Sequence, residues 1–414
     1  MNREDYLNEL IPLAKVKKNL FIQWPTGTGK SRGALEIIKK YCISPYDTGV
    51  IFPKYLIVVP KLILIDNWKV EIIKWLGEDK LPFFSFVTYV SLYKEMGYVW
   101  DCIVFDEGHH FTERCAEVFM PQQARRIILL SATVKREVRE RLSDSIPDLW
   151  YYRVSTRSVI EDKILPDPTV FLIPLSLDEL KGQYTYVKNP KGKGKFRVSF
   201  DGRWAYMRRK ERVEIICTAR QCHSLYYENV KFWENQFKKT HQMWAHSKWM
   251  HYAGERLKWL SEIKTPIVKD ILRLLENYRT LTFCSSITQT EELGKNYIHS
   301  KGKQGGDANL KAFNEGRVNH ITACAILDEG VNLTSCQVGI FAGLNASEVK
   351  VKQRLGRILR HPHPLIILPY FVGTRDEEII NEMKQDYNPE LTHIVTRENL
   401  ENEISKFIAY ENCD

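Results

Sequence analysis

Phosphate chemistry is what the residue types of one stretch allow. Trp24 to Ser31 reads W-P-T-G-T-G-K-S. It follows an apolar run of strand character, Leu20-Phe21-Ile22, and precedes Arg32 to Tyr41, where Ala34, Leu35, Ile37 and Ile38 recur at helical spacing. Gly27 and Gly29 let the backbone turn with its N–H groups inward, so Pro25, Thr26, Gly27, Thr28 and Gly29 can form a concave anion site at a helix N-terminus. In such a loop Lys30 reaches the β- and γ-phosphates and the Ser31 hydroxyl ligates magnesium. The general pattern G-x-x-x-x-G-K-[ST] carries glycine where this chain has Trp24.

Two further groups complete a phosphoryl-transfer set. Asp106-Glu107-Gly108-His109 closes an apolar strand-like run; there Asp106 would hold magnesium and Glu107 would polarise the attacking water. Gln353-Arg354-Leu355-Gly356-Arg357-Ile358-Leu359-Arg360 supplies positive charge, with Arg357 and Arg360 three apart on one face of a helix. Planar guanidinium groups suit the spread negative charge of a phosphoryl-transfer transition state; an exposed basic helix would show the same spacing.

The elements that must position these groups alternate. Strand candidates are Lys54–Pro60, Pro82–Val90, Trp100–Phe105 and Ile127–Leu130, the last followed by Ser131-Ala132-Thr133. With helical spacing between them and polar motifs at their ends, they describe a doubly wound parallel sheet with its site along one edge. Alternation resumes after Thr265-Pro266, with strands expected at Thr280–Cys284, Val318–Ile326, Val338–Phe341 and Leu365–Pro369. Between lies a segment with two prolines, Pro166 and Pro168, before a strand-like run, then a flexible basic loop over Lys188–Lys195 and helix-like sequence.

Composition narrows the partners. The 414 residues suffice for two or three domains, and hydrophobic residues at 44% with charged residues at 27% match a soluble globular chain. Nine scattered cysteines without a C-x-x-C argue for reduced thiols in a cytosol-like compartment, and no Cys/His pair has zinc-finger spacing. No apolar run approaches a membrane span, and the N-terminus lacks a signal-peptide apolar region. The net charge of +9 is uneven: Phe171 to Thr265 holds 19 Lys+Arg against 9 Asp+Glu, together with 16 of the 48 aromatic residues. Cations neutralise phosphates and rings stack on bases, which suits a nucleic-acid strand. A solvated basic surface over a ring-rich helical core would have the same composition, and helical core is the expected place for most of Trp204, Trp233, Trp244, Trp249 and Trp259.

P-T-G-T-G-K-S, D-E-G-H, S-A-T and Q-R-L-G-R-I-L-R, in that order, resemble superfamily 2 helicases, over about 20–170 and 266–370. Val59-Pro60-Lys61, Thr88-Tyr89 with Leu92, Phe283–Ser286 and Asp328–Leu333 resemble the family's supporting motifs. The resemblance implies two RecA-like α/β domains with a basic, aromatic, mainly helical insertion between them: residues 1–166 binding ATP, 167–265 contacting nucleic acid, and 266–414 as the second RecA-like domain. It implies that Gly27, Thr28, Gly29, Lys30 and Ser31 hold the triphosphate of ATP, with Mg2+ at Ser31 and Asp106. Arg357 and Arg360 would act as arginine fingers with Gln353 near the γ-phosphate, and Gly330 and Asn332 would border the nucleotide, although many relatives carry aspartate where Asn332 stands. His109, Ser131 and Thr133 would couple hydrolysis to domain closure, and Pro60, Lys61, Thr88 and Ser285 would lie on the nucleic-acid backbone.

The D-E-G-H spelling and the V-T-Y-V-S-L element resemble DNA translocases of restriction, repair and phage type. The expectation is a DNA helicase or translocase on single-stranded or forked DNA, in phage-type replication, recombination or repair. RNA remodelling and a non-motor ATP switch are the alternatives. No membrane partner is expected, a monomer is compatible with the motif set, and the setting would be cytoplasmic, the host cytoplasm for a phage-encoded chain.

Overall fold

The computed structural model describes residues 2–43, 54–95, 97–119, 123–188, 195–200, 203–208, 213–299, 303–324, 336–344 and 361–411. Six short strands form the first sheet: β1 (Asn19–Gln23), β2 (Tyr55–Val59), β3 (Phe84–Thr88), β4 (Cys102–Asp106), β5 (Ile127–Ser131) and β6 (Trp150–Arg153). Their order is β3-β2-β4-β5-β1-β6 and every pairing is parallel. Parallel strands need crossovers, and helices on both faces explain why β1, β2, β4 and β5 are almost continuously apolar. Alternate side chains go to opposite faces. Ile57, Val59, Val104 and Ile128 pack toward α1 (Arg3–Val16), α2 (Lys30–Tyr41) and α3 (Ile63–Leu76). Leu56, Val58, Ile103 and Phe105 pack with Phe111, Cys115 and Leu142, from the side of α4 (Glu113–Val118) and α5 (Arg136–Ser145).

After α6 (Thr156–Glu161) the chain passes its two prolines and enters β7 (Thr169–Leu175), which belongs to a second sheet. The next segment differs from the helix-like reading. β8 (Tyr184–Lys188) pairs antiparallel with β11 (Val213–Cys217), and β9 (Lys195–Phe200) with β10 (Arg203–Arg208). Pairing of Phe200 with Arg203 leaves only Asp201 and Gly202 to connect β9 to β10, and Asp-Gly between alternating strands is a strong hairpin signal. High lysine and glycine content hid that signal. Most of the basic loop Lys188–Lys195 lies outside the described residues.

Two long helices follow, α7 (Ala219–Thr240) and α8 (Met243–Glu262). Thr218 and Gln221 form a capping box that starts α7, and His241, at φ 52°, takes the left-handed conformation that ends it. The pair packs as an antiparallel hairpin. Cys222, Leu225, Trp259, Leu260 and Ile263 join the core of the second sheet. Farther out the contacts are between rings: Trp233 stacks on Tyr252 and meets Trp244 edge-on, and Phe237 stacks on Trp249. Among the described residues the expectation of helical core for most of these tryptophans holds only for Trp259: Trp233 and Trp249 are partly buried in the ring contacts farther out, and Trp244 is 53% exposed near the hairpin tip, because the outer half of the hairpin has no sheet to pack against.

α9 (Thr265–Leu274) leads to β12 (Thr280–Cys284), β13 (Tyr297–Ile298), β14 (His320–Cys324), β15 (Val338–Phe341), β16 (Leu365–Phe371) and β17 (Thr392–Ile394). The order is β13-β14-β12-β15-β16-β7-β17, so β7 sits between β16 and β17. Past the end of β15, Gly343 donates its N–H to the Phe283 carbonyl at 2.8 Å. A Cβ at Gly343 would lie 2.1 Å from Ser285 Oγ and 2.7 Å from Ser285 N, so the backbone itself would have to move. Gly343→Ala is expected to cost about 1–3 kcal/mol by overpacking, read as a lower melting temperature; an unchanged melt would show that the strand ends yield freely. Among the described residues no helix is long and apolar enough to cross a membrane.

Candidate active site

Parallel order brings the chemistry-bearing residues to one edge. The loop Pro25–Gly29 leaves the C-terminal end of β1, Pro60 and Lys61 follow β2, Thr88 ends β3, Asp106 ends β4 and Ser131 ends β5. β5 lies between β1 and β4, so loop and acidic pair are separated by one strand, about 10 Å for two strand spacings.

Gly27 and Gly29 have φ of 87° and 96°, values that side chains resist, and Gly29 is the N-cap of α2. The N–H groups of the first turn of a helix have no intrahelical acceptor. The Thr28 hydroxyl donates to the Pro25 carbonyl at 2.7 Å and braces the turn. Lys30 Nζ donates to the carbonyls of Trp24 at 3.0 Å and Pro25 at 3.2 Å. Desolvation lowers its pKa, against the attraction of Glu107 and Asp106. Neutral carbonyls are weaker acceptors for an ammonium than phosphate oxygens, so an anion in the loop would compete for it. The Thr26 hydroxyl is buried with no hydrogen-bond partner among the described residues. Trp24, the departure from the general pattern, is buried with its ring 5.9 Å from Tyr6 on α1 and 5.8 Å from Tyr152 on β6. It packs α1 against the sheet.

Asp106 is partly buried at the sheet end. Desolvation, then the neighbouring Glu107 carboxylate, raise its pKa to about 6, while Trp68 and Lys30 act the other way. Trp68 Nε1 donates to Asp106 Oδ2 at 2.8 Å and the Glu107 amide to Oδ1 at 3.0 Å. Two adjacent acids crowded at this depth form a negative site that a divalent cation would relieve, and hard oxygen donors match magnesium. The residue types present fit Mg2+, which Asp106 and the Ser31 hydroxyl would hold.

Glu107 has φ 49°, a left-handed conformation that turns the chain sharply off β4. Its Oε2 lies 3.3 Å from His109 Nδ1, and His109 Nδ1 lies 3.0 Å from Ser131 Oγ. Ser131 Oγ also lies 2.7 Å from the Thr133 carbonyl. A carbonyl only accepts, so the serine hydroxyl donates there, and His109 must carry a proton on Nδ1 to bond the serine. Glu107, His109, Ser131 and Thr133 thus form one continuous network across β4 and β5. Ser285 follows β12, where its N–H meets Gln289 Oε1 at 3.4 Å, on the second sheet. Gly330, Asn332, Gln353, Arg357 and Arg360 lie outside the described residues.

Two site residues were missed in the sequence reading. Trp68 reads as an ordinary apolar position of α3. Tyr89, read as part of a strand-contacting element, turns inward and donates its hydroxyl to the Asp106 carbonyl at 2.8 Å. A polar-tipped ring at a buried position was the available signal, since such tips find partners.

Two parallel-sheet α/β domains, the first with a glycine loop and an acidic pair at one edge, define a nucleoside-triphosphate-hydrolysing class. Residues 3–136 match the model of the type III restriction enzyme res subunit, and residues 263–362 that of the helicase conserved C-terminal domain, together more than half of the chain. The chain is 25% identical over 407 residues to a DNA 3'-5' translocase XPB2 of Sulfurisphaera tokodaii, covering 92% of this chain and 84% of that one. A solved structure of S. cerevisiae Dbp5 bound to RNA and ADP BeF3 superposes with a TM-score of 0.60 at 12% identity, covering 97% of this chain and 92% of that one. This chain belongs to the superfamily 2 helicases and is an ATP-hydrolysing enzyme acting with nucleic acid.

Proposed function

We propose that the chain is an ATP-driven DNA translocase or helicase working on single-stranded or forked DNA, in phage-type replication, recombination or repair. The observation that carries this reading is the shared sheet edge, where the phosphate loop, the acidic pair and the Pro60, Lys61 and Thr88 segments stand side by side. Support for DNA comes from the restriction-enzyme family model and from the translocase relative's name.

In this reading the loop N–H groups and Lys30 bind the triphosphate of ATP, and Ser31 and Asp106 hold Mg2+. Bound there, the ion supplies charge neutralisation at the phosphates. Glu107 orients the attacking water and takes its proton, with His109 donating to the carboxylate and fixing its direction. Gln353, Arg357 and Arg360 would approach from the second domain, and Gly330 and Asn332 would border the nucleotide. Closure of the domains on ATP, and release on hydrolysis, moves one grip on the strand relative to the other. The network through Ser131 and Thr133 links the water-activating glutamate to the next strand end. Lysines of the hairpin and its exposed Trp244 would meet the phosphates and bases.

The test is steady-state ATP hydrolysis without nucleic acid and with single-stranded DNA, forked DNA, duplex DNA or single-stranded RNA, beside Lys30→Ala. DNA stimulation that the substitution abolishes is the expected result, with the preferred DNA shape pointing to the task. Stimulation by RNA alone would replace DNA as the substrate. No stimulation by any of them would overturn the motor reading.

A further inference from the structure

Trp68 lies outside the loop, the acidic pair and the strand-contact segments, and Tyr89 belongs to the Thr88-Tyr89-Leu92 element but turns its hydroxyl inward; each is bonded to Asp106. The indole Nε1–H of Trp68 reaches Oδ2 at 2.8 Å, and the Tyr89 hydroxyl reaches the main-chain carbonyl at 2.8 Å. Both residues are more than nine-tenths buried. With the Glu107 amide on Oδ1, one aromatic donor holds the carboxylate and another holds its backbone.

The origin of the two donors gives the arrangement its meaning. Pro60 and Lys61 follow β2, and the Lys61 carbonyl accepts the N–H of Leu64 at 3.1 Å, in the first turn of α3. Trp68 stands about one turn farther along that helix. Tyr89 directly follows Thr88 in the chain. Each candidate backbone-contact segment therefore continues, through a short rigid stretch, into a donor to Asp106. Hydrogen bonds weaken steeply with misalignment, so a small displacement of either stretch changes how the carboxylate is held.

We infer that Trp68 and Tyr89 are positioning residues that transmit nucleic-acid binding at Pro60, Lys61 and Thr88 to the Asp106 carboxylate. This rests on the function proposed above for those segments. Strand binding sets α3 and the Thr88–Tyr89 turn; these set the two donors; the donors fix the rotamer and depth at which Asp106 meets the metal-nucleotide. The coupling accounts for a turnover rate that depends on the strand without any strand contact to ATP.

Tyr89→Phe deletes its donor and keeps the ring, whereas Trp68→Phe deletes its donor and also part of a buried ring, so its melting curve is needed to separate positioning from packing. Basal and oligodeoxythymidine-stimulated ATP hydrolysis are measured over a range of oligonucleotide and of magnesium concentrations. The ratio of stimulated to basal turnover is expected to fall roughly tenfold in Trp68→Phe and roughly threefold in Tyr89→Phe. Half-saturating oligonucleotide should stay within about twofold, since no strand contact is removed. Half-saturating magnesium should rise in Trp68→Phe. A ratio unchanged in both variants, or basal and stimulated rates falling in equal proportion, would overturn the inference while leaving the proposed function standing. A melting curve accompanies each variant, and if Trp68→Phe does not fold, Tyr89→Phe decides alone. Unsubstituted protein that oligodeoxythymidine does not stimulate would overturn the inference, and other nucleic acids then decide the proposed function.

Discussion

Glu107→Gln is expected to lower ATP turnover by about 10²–10⁴-fold, the span that a positioned general base contributes, while ATP still binds. The substitution is isosteric, and the amide oxygen can still accept from His109 Nδ1, which lies 3.3 Å from Glu107 Oε2. The network through Ser131 to the Thr133 carbonyl therefore survives, as do the loop and the bonds of Lys30. Only the ability to take a proton is lost. Turnover and the dissociation constant of a fluorescent ATP analogue are the two measurements, taken beside Lys30→Ala, in which binding should also weaken. A Glu107→Gln protein with undiminished turnover would remove Glu107 from the chemistry. If the unsubstituted protein itself hydrolysed almost nothing while ATP changed its DNA affinity, the switch reading would gain.

The second large effect concerns stability. Lys264, at the junction of α8 and α9, and Asp376 are 0% and 1% exposed and 2.9 Å apart. Lys264 Nζ also donates to the Pro369 carbonyl of β16 at 3.2 Å, and Asp376 Oδ2 accepts from the Phe371 amide at 3.4 Å. The pair ties the base of the helical hairpin to the end of a central strand. Lys264→Ala strands a buried carboxylate and leaves a cavity, and should cost about 3–5 kcal/mol. For a domain of this size that is a fall in melting temperature on the order of 10 °C. The double substitution Lys264→Met with Asp376→Leu removes both charges together, and should recover most of the loss or exceed the parent. Calorimetry of the three proteins decides the matter: a double variant no more stable than Lys264→Ala would show that the pair is not an isolated buried charge couple.

The phosphate loop and the strand-end acids of the first domain are legible as motifs in the sequence, because phosphate chemistry constrains residue order locally. A loop that turns on two positive-φ glycines must be written with glycine, and acids at a strand end follow a readable apolar run. The central strands of both sheets are legible for the same reason, since buried parallel strands are short uninterrupted apolar runs, whereas the short, partly exposed β6, β13 and β17 are not. Neither are the β8–β11 hairpins. The sequence that joins and flanks them is rich in lysine, arginine and glycine, which has the look of a basic loop.

Trp68 and Tyr89 mark the other limit. Nothing within α3 distinguishes Trp68 from its apolar neighbours Leu64 and Ile72, which are equally buried. Its partner stands 38 residues away, at the end of β4. Likewise Trp24 departs from the loop pattern because two rings from distant elements, Tyr6 and Tyr152, close around it.

Local spacing thus determined which groups can touch phosphate, since loop geometry and strand-end acids depend on neighbours in sequence. The three-dimensional arrangement alone decided which buried donors hold those groups in place, and where β7 and the Lys264–Asp376 pair lock the second sheet. Hydrogen bonds and buried charges are made between surfaces that meet only when the sheets close. Their partners are chosen by packing rather than by order along the chain.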